Sequence, residues 1–370
     1  MKLGIDISTY FEELNAGATY YDGGKAVQPL EMFTANGVDC MRIRLWLDPY
    51  DEQGNPYLGG TCDLNNFIRL AKLAQSKGYD VMLDFHYSDF WCDPGKQTIP
   101  KAWRGLSLNE LVARLSDYTK STLNTIKANG ISVKYIQVGN EITNGILWPL
   151  GKLEKVSEGA PRSNYDSLRA LLKAGIAACR EIAPDASLVL HLERSYDQAL
   201  YNEFFAQMSE LDYDIIGFSY YPYWHGTFEQ FFANVENCKK FGKRLMVVEL
   251  GYGFTVEDYI KEAHGGAHLV VDAAMASELG FAHDYPLTPA GQAKFVREFL
   301  KLARQHGVEA VYYWEPLWIP GQGICWATEE AQRYTGEPKI KSCRNEWANQ
   351  CLFDYNGEKL PAFDEFRVKK

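Results

Sequence analysis

Eight short apolar runs recur along the chain, at 3–7, 38–46, 79–85, 133–139, 187–192, 214–220, 244–249 and 308–314, and helical periodicity separates most of them. A strand buried on both faces reads as a near-continuous apolar run, and parallel neighbours need a helical crossover between them. Eight repeats of that kind predict an α/β fold, a single (β/α)8 TIM barrel. A doubly wound open sheet is the alternative, yet no glycine-rich phosphate fingerprint follows the first run. Local signals agree with the alternation. Leu64, Phe67, Ile68, Ala71 and Ala74 keep the helical period behind an Asp63 cap and stop at Gly78. Ser107 with Glu110 and Thr227 with Gln230 read as capping boxes, and Thr288-Pro289 opens a helix that Gly307 ends. No internal repeat, low-complexity tract or linker interrupts the pattern, so residues 1–370 are expected to form one catalytic domain.

The connections are unequal. Helix-to-strand joins are short, as at Gly78, Gly130 and Gly307, whereas the strand-to-helix stretches 86–106, 142–162, 251–287 and 316–342 are long. In a barrel those long loops crowd the carboxyl-terminal face, where active sites are built. Trp46, Trp91, Trp103, Trp148, Trp224, Trp314, Trp318 and Trp326 fall at strand ends or in these loops, and only Trp347 lies elsewhere. Tryptophans serving stability alone would also occupy helix faces, so the clustering points to an aromatic-lined ligand cleft.

A formal net charge of −10 without any basic run gives no footprint for nucleic acid or an anionic membrane, and a neutral partner fits better. No stretch approaches the eighteen consecutive apolar residues of a membrane span, and the chain enters a strand-like run at Leu3 without a charged leader. A soluble, monomeric protein is expected, its location open. Of eight cysteines, Cys40, Cys179 and Cys238 sit at apolar positions of a strand and two helices and read as buried thiols. Cys62, Cys92, Cys325, Cys343 and Cys351 lie in loop-like stretches and could pair, with connectivity unreadable.

Two of the runs lead into glutamate: Val138-Gly139-Asn140-Glu141 and Val247-Val248-Glu249. A carboxylate at the end of a buried strand is desolvated and costly to keep ionised, and two of them on opposing walls of one barrel mouth make a pair that handles protons. Glycoside hydrolysis uses such a pair, one carboxyl attacking the anomeric carbon or activating water while the other protonates the leaving oxygen. A lone strand-end glutamate is more often structural; the pair, one member behind Gly-Asn, makes Glu141 and Glu249 the candidate catalytic residues. Asp84, His191, Glu193 and Glu315 also lie at strand ends and are candidates for sugar binding or for support of the pair.

The longer motifs around these residues carry a resemblance. Asp84-Phe85-His86-Tyr87-Ser88-Asp89 with Asp93-Pro94-Gly95-Lys96-Gln97, Gln137-Val138-Gly139-Asn140-Glu141-Ile142 with Asn144-Gly145, and Trp148-Pro149-Leu150-Gly151 resemble the endo-β-1,4-galactanases of glycoside hydrolase family 53. The likeness continues through Arg42-Ile43-Arg44-Leu45-Trp46, Ser219-Tyr220-Tyr221-Pro222, Trp224-His225-Gly226, Val248-Glu249 and Tyr313-Trp314-Glu315-Pro316, covering nearly the whole chain. It implies a retaining, endo-acting barrel enzyme with Glu141 as acid/base and Glu249 as nucleophile. Its substrate would be β-1,4-galactan and the backbone of type I arabinogalactan. It further implies that Asn140 bonds the sugar 2-OH, that Arg44, His86 and Tyr221 surround Glu249, and that Trp314 floors the subsite of the cleaved sugar. Trp91, Trp224, Asp84 and Glu315 complete the expected substrate-binding set.

The resemblance also implies departures. Leu250-Gly251-Tyr252-Gly253-Phe254-Thr255 differs from the Thr or Ser and the Tyr-Pro expected after the nucleophile. Some relatives hold a structural calcium in that loop, but residues 256–287 present no calcium-ligand pattern. His264, His268, Asp272 and His283 are too loosely spaced for a transition-metal site, so neither metal nor cofactor is assigned. The alternatives are a barrel glycosidase for mannan or cellulose, an inactive carbohydrate-binding homologue, and a metal-dependent hydrolase using His86 and His191.

Overall fold

The computed structural model describes residues 1–155, 162–260, 269–278 and 280–367, and in it the eight apolar runs are the strands of a closed parallel barrel. They are β1 (Lys2–Asp6), β2 (Cys40–Leu45), β3 (Asp80–Phe85), β4 (Val133–Val138), β5 (Ser187–Leu192), β6 (Ile215–Tyr220), β7 (Arg244–Leu250) and β8 (Ala310–Tyr313). Strand order follows chain order, and the barrel closes where Gly4 of β1 registers with both Cys40 of β2 and Tyr312 of β8. Each strand is followed by a helix: α1 (Pro29–Ala35), α2 (Leu64–Ser76), α3 (Leu108–Ala128), α4 (Tyr165–Ile182), α5 (Gln198–Gln207), α6 (Phe228–Cys238), α7 (Pro289–Gln305) and α8 (Pro361–Glu365). The expected caps are in place. Asp63 accepts from the Asn66 N–H, Thr288 accepts from the Gly291 N–H, and both capping boxes are complete. Strand ends differ by up to two residues from the apolar runs, and two small hairpins, Tyr20–Asp22 with Lys25–Val27 and Gly145–Ile146 with Gly151–Lys152, arise in the long connections.

The strand period of two sorts side chains between two environments. Met41, Ile43 and Leu45 of β2 face outward into the large core beneath the helices, while Cys40, Arg42 and Arg44 face the barrel axis. Inside, the lower end is filled by an apolar plug that includes Cys40, Met82, Tyr135, Val189, Ile215, Met246, Val248 and Tyr312. Gly4 makes room for this plug, because a Cβ there would stand 2.3 Å from the Tyr312 ring. Above it the interior turns polar with Asp6, Arg42, Asp84, Gln137 and His191, all fully buried. The barrel thus raises its charged groups toward the mouth on an apolar base.

Of the five loop cysteines, Cys325 and Cys343 form a disulfide, whereas Cys62, Cys92 and Cys351 are buried thiols like Cys40, Cys179 and Cys238.

Candidate active site

Glu141 reaches the mouth through a sharp turn at the end of β4. Gly139 has φ +89°, and a Cβ there would stand 2.6 Å from Ile142 Cγ2, so the position needs glycine. Glu141 itself adopts φ 47°, a left-handed conformation that is uncommon for a glutamate and that a surrounding structure must enforce. Glu249 arrives by a different device. Ser219 of β6 registers with Glu249 although Phe218 registers with Val247, so β7 carries one extra residue at this point. Strict alternation would send Glu249 outward with Val247; the bulge lets Val248 fill the plug and Glu249 also turn inward. One carboxylate oxygen of each glutamate and one ring nitrogen of His191 then lie within 4.8 Å of one another.

The two carboxyls stand in unlike surroundings. Glu249 Oε1 is 2.9 Å from Arg42 Nη2, and its Oε2 accepts from the Tyr221 hydroxyl at 2.9 Å. Burial pushes its pKa up, while Arg42 and the Tyr221 hydrogen bond favour the ionised form. Glu141 forms no ion pair with a cation among the described residues. Its Oε1 accepts from Ser219 Oγ at 2.6 Å, and burial, then the charges of Glu249 and Glu193, hold its pKa well above the carboxylate range. The arrangement therefore favours one protonated acid, Glu141, beside one anion, Glu249.

His191 links the pair's supports. Its Nδ1 faces the Glu141 N–H at 3.3 Å and the Gln137 amide at 3.1 Å, and its Nε2 lies 2.8 Å from Ser219 Oγ. The same Nδ1 lies 3.0 Å from Asn140 Oδ1, so the neutral ring bridges Gln137 and Asn140 to Ser219, which donates to Glu141. Burial lowers the His191 pKa well below the usual histidine value, consistent with this neutral ring. In His86, Nδ1 accepts from the Cys92 N–H at 3.0 Å and Nε2 lies 3.1 Å from Asp84 Oδ2. Every ring nitrogen of both histidines is thus engaged by protein groups. Asp272 caps the helix Ala273–Glu278 by accepting from the Met275 N–H, and His264 and His268 lie outside the described residues.

Glu141 and Glu249 open into a cavity of about 670 Å³ that Arg44, His86, Trp91, Asn140, Tyr221, Trp224 and Trp314 also line. Two residues expected to touch substrate are placed elsewhere. Asp84 is fully buried, its oxygens taken by Arg42 at 2.8 Å, Gln137 at 2.6 Å and His86. Glu315 is likewise buried, held by Arg44 Nη1 at 2.7 Å and by the Thr9 backbone and hydroxyl. Both support the wall from behind. Arg44 also differs from expectation: it pairs with Asp6 and Glu315 and stacks on Trp91 with 4.3 Å to the ring centre, while Arg42 takes the place beside Glu249. Arg42 bonds Asp6, Asp84, Asn140 and Glu249 together, and its inward position on β2, two residues from Arg44, was the available signal.

The tryptophans divide. Trp46, Trp103 and Trp318 are buried packing residues, contrary to a purely cleft-lining cluster. Trp347, the one set apart in sequence, returns to the mouth with its ring centre 4.8 Å from Trp314 and 6.0 Å from Trp224. Trp326 and Trp347 thus join the cavity wall, as do Glu193 and Arg194 at the end of β5.

A paired carboxyl site at the mouth of a (β/α)8 barrel recurs in several families, so comparison with known proteins decides among them. Solved xylanases share the fold alone, at 13% identity and a TM-score of 0.57 in one case. The chain is similar to the endo-β-1,4-galactanase of Bacillus subtilis (strain 168), with 33% identity over 386 residues, 98% of this chain and 85% of that protein. Its fold matches the Ignisphaera aggregans GH53 catalytic domain with a TM-score of 0.84 and 35% identity, covering 98% of this chain and 94% of the other. One of two fungal β-1,4-galactanases of solved structure matches with a TM-score of 0.74 and 26% identity over 99% and 98% of the two chains. The family model of glycosyl hydrolase family 53 spans residues 2–366, and with that match this chain belongs to glycosyl hydrolase family 53.

Proposed function

We propose that this protein is a retaining, endo-acting glycosidase that cleaves β-1,4-galactosidic bonds in galactan and type I arabinogalactan by double displacement. The observation that carries the reading is the carboxyl pair, with an oxygen of each side chain within 4.8 Å of the other. Retaining enzymes hold their carboxyls about 5 to 5.5 Å apart, whereas inverting ones leave about 6.5 to 9.5 Å for a water. Similarity to named endo-β-1,4-galactanases supports the substrate. Cavity tryptophans at the open barrel face suit a chain that enters and leaves on either side.

In the first step Glu249 attacks the anomeric carbon as the glycosidic C–O bond breaks, and Glu141 gives its proton to the departing oxygen. Glu141, now ionised, takes a proton from water as that water displaces Glu249 from the anomeric carbon, and both carboxyls return to their starting states. Arg42 and Tyr221 keep Glu249 anionic for attack, and Ser219 fixes the Glu141 carboxyl. Asn140 is positioned by Arg42 at 2.8 Å and, on the cavity wall, serves the sugar 2-OH. Trp91, Trp224 and Trp314 supply stacking faces; His86 and Tyr221 bound the reacting sugar. The whole of residues 1–370 acts as one catalytic domain and works as a monomer. Among the described residues no helix is long and apolar enough to cross a membrane.

Glu249→Ala is expected to lose nearly all turnover, and azide to restore cleavage with an inverted glycosyl azide as product. Absence of that rescue would remove Glu249 as the nucleophile. A panel of galactan, arabinogalactan, mannan and cellulose with product sizing over time tests substrate and endo action together; release of monosaccharide from the outset, or preference for mannan or cellulose, would refute the assignment.

A further inference from the structure

Behind the wall that carries Trp91 and Trp314, a row of oxygens stands too close together for the hydrogens that two ionised glutamates would leave it. Thr9 Oγ1 lies 2.5 Å from Glu13 Oε1 and 2.7 Å from Glu315 Oε2. Tyr20 Oη lies 2.8 Å from the Leu317 carbonyl oxygen and also contacts Glu13 Oε2. Thr9, Glu13, Tyr20 and Glu315 are all buried. If both glutamates were ionised, four acceptors would face two hydroxyl hydrogens, and two contacts would press lone pair against lone pair. Two added protons complete the row in one direction. Glu315 Oε2–H donates to Thr9, Thr9 donates to Glu13 Oε1, Glu13 Oε2–H donates to Tyr20, and Tyr20 donates to the Leu317 carbonyl.

Charge around the row agrees with that count. Among the described residues Arg42 and Arg44 are the cations of the barrel interior; they meet Asp6, Asp84 and Glu249, and Arg44 also meets Glu315, so two cations already face three carboxylates before Glu315 is counted. The other titratable groups facing the two acids are Glu12, Tyr10, Tyr20, Cys62 and Cys351, none of which brings positive charge. The link to the cleft is Arg44. Its Nη1 sits 2.7 Å from Glu315 Oε1, and its guanidinium lies over Trp91 at 4.3 Å and near Trp314 at 5.6 Å.

We propose that Glu13 and Glu315 are positioning residues held as neutral acids, whose one-way hydrogen-bond row fixes Arg44 and, through it, the tryptophan wall on which the sugar chain rests. The effect on substrate rests on the cavity being the sugar cleft; the protonation does not. Two measurements separate them. Infrared spectroscopy of the intact enzyme at neutral pH is expected to show protonated-carboxyl absorption, one component of which disappears in Glu13→Gln. In kinetics on the polymer, Glu13→Leu is expected to raise KM about tenfold while changing kcat less than about twofold, the signature of lost uniform binding. Glu13→Gln, whose amide donates to Tyr20 and whose carbonyl accepts from Thr9, is expected to bring KM back to within about twofold of the native value. An unchanged infrared band, a Glu13→Gln protein that is as impaired as Glu13→Leu or does not fold, or a fall in kcat at constant KM would each overturn the proposal. Failure of the polymer to bind at all would refute the cleft reading while the infrared result still judges the protonation.

Discussion

Arg42 shows how much one buried side chain decides. Its guanidinium meets Asp6, Asp84, Asn140 and Glu249, so the carboxylate proposed as nucleophile is placed and favoured as an anion by the group that also ties β1, β2 and β3 together. Removing such a cation would strand several buried carboxylates and cost about 3–5 kcal/mol. Tyr221→Phe is the cleaner probe, since it deletes only the hydrogen bond to Glu249 Oε2. A hydrogen bond to a charged group is worth about 1.5–3 kcal/mol, and one pKa unit corresponds to about 1.36 kcal/mol. In the proposed mechanism Glu249 must be ionised to attack, and its ionised form is what the hydroxyl stabilises. The acidic limb of the kcat/KM profile is therefore expected to move upward by about one to two pH units. A limb that stays in place or moves toward acid would show that Tyr221 does not set the charge of Glu249. At this scale the sequence was partly legible. Motif and alternation bring both Arg42 and Arg44 to the axis, but which guanidinium reaches the strand-seven carboxylate depends on side-chain path across the barrel, which spacing along one strand does not contain.

Elements carry the glutamates to the mouth by irregularities rather than by regular strand. The eight strands and their capped helices were readable because their signals are local: apolar runs, Asp63, Ser107, Thr227 and Thr288 all act within a few residues of themselves. The β7 bulge was not readable. Val247-Val248-Glu249 is the same apolar run with or without an extra residue, and only the register against Ser219 reveals that Val248 and Glu249 both turn inward. The β4 turn is intermediate, since Gly139 marks a special backbone position but not its purpose. Gly139→Ala tests that purpose. A methyl group at φ +89° and 2.6 Å from Ile142 Cγ2 forces the turn to shift, with an expected stability loss of about 1–3 kcal/mol. Because Asn140 and Glu141 follow directly, kcat is expected to fall by at least about tenfold, as a displacement near 1 Å at a reacting group does. A folded Gly139→Ala protein with native kcat, measured beside its urea unfolding curve, would show that the turn does not place Glu141.

At the scale of the whole molecule, the site depends on parts of the chain that meet only after the barrel closes. Trp347 joins the cavity wall from a segment beyond the last strand, a return that neither periodicity nor motif spacing announces. The same closure buries ionisable groups of opposite kinds, and their balance gives the protein a specific response to pH. Burial raises the pKa of Glu12 to about 7 and of Glu315, despite Arg44, to about 8, and carries Glu13 and Glu141 well above the carboxylate range. These groups keep protons on folding that the unfolded chain releases above about 4.5, so their contribution to stability is complete below that pH and is lost as pH rises toward the folded values. His86, His191 and His225 work in the other sense: burial lowers them, His225 to about 3, and their contribution is present above 6.5 and lost as pH falls. Below 6.5 the two sets oppose each other. Between 6.5 and 8 the three histidines are neutral in the folded protein and hold at most about half a proton each in the unfolded chain, fewer than the raised acids retain, so the folded protein binds more protons than the unfolded one and stability declines with rising pH. The thermal midpoint, followed by calorimetry at fixed ionic strength, is expected to fall steadily across that window, and Glu13→Gln, which needs no proton to stay neutral, is expected to fall less steeply. A midpoint that is level or rises from pH 6.5 to 8 would mean that these buried acids are ionised in the folded barrel. The proton on Glu141 would then need another cause than burial.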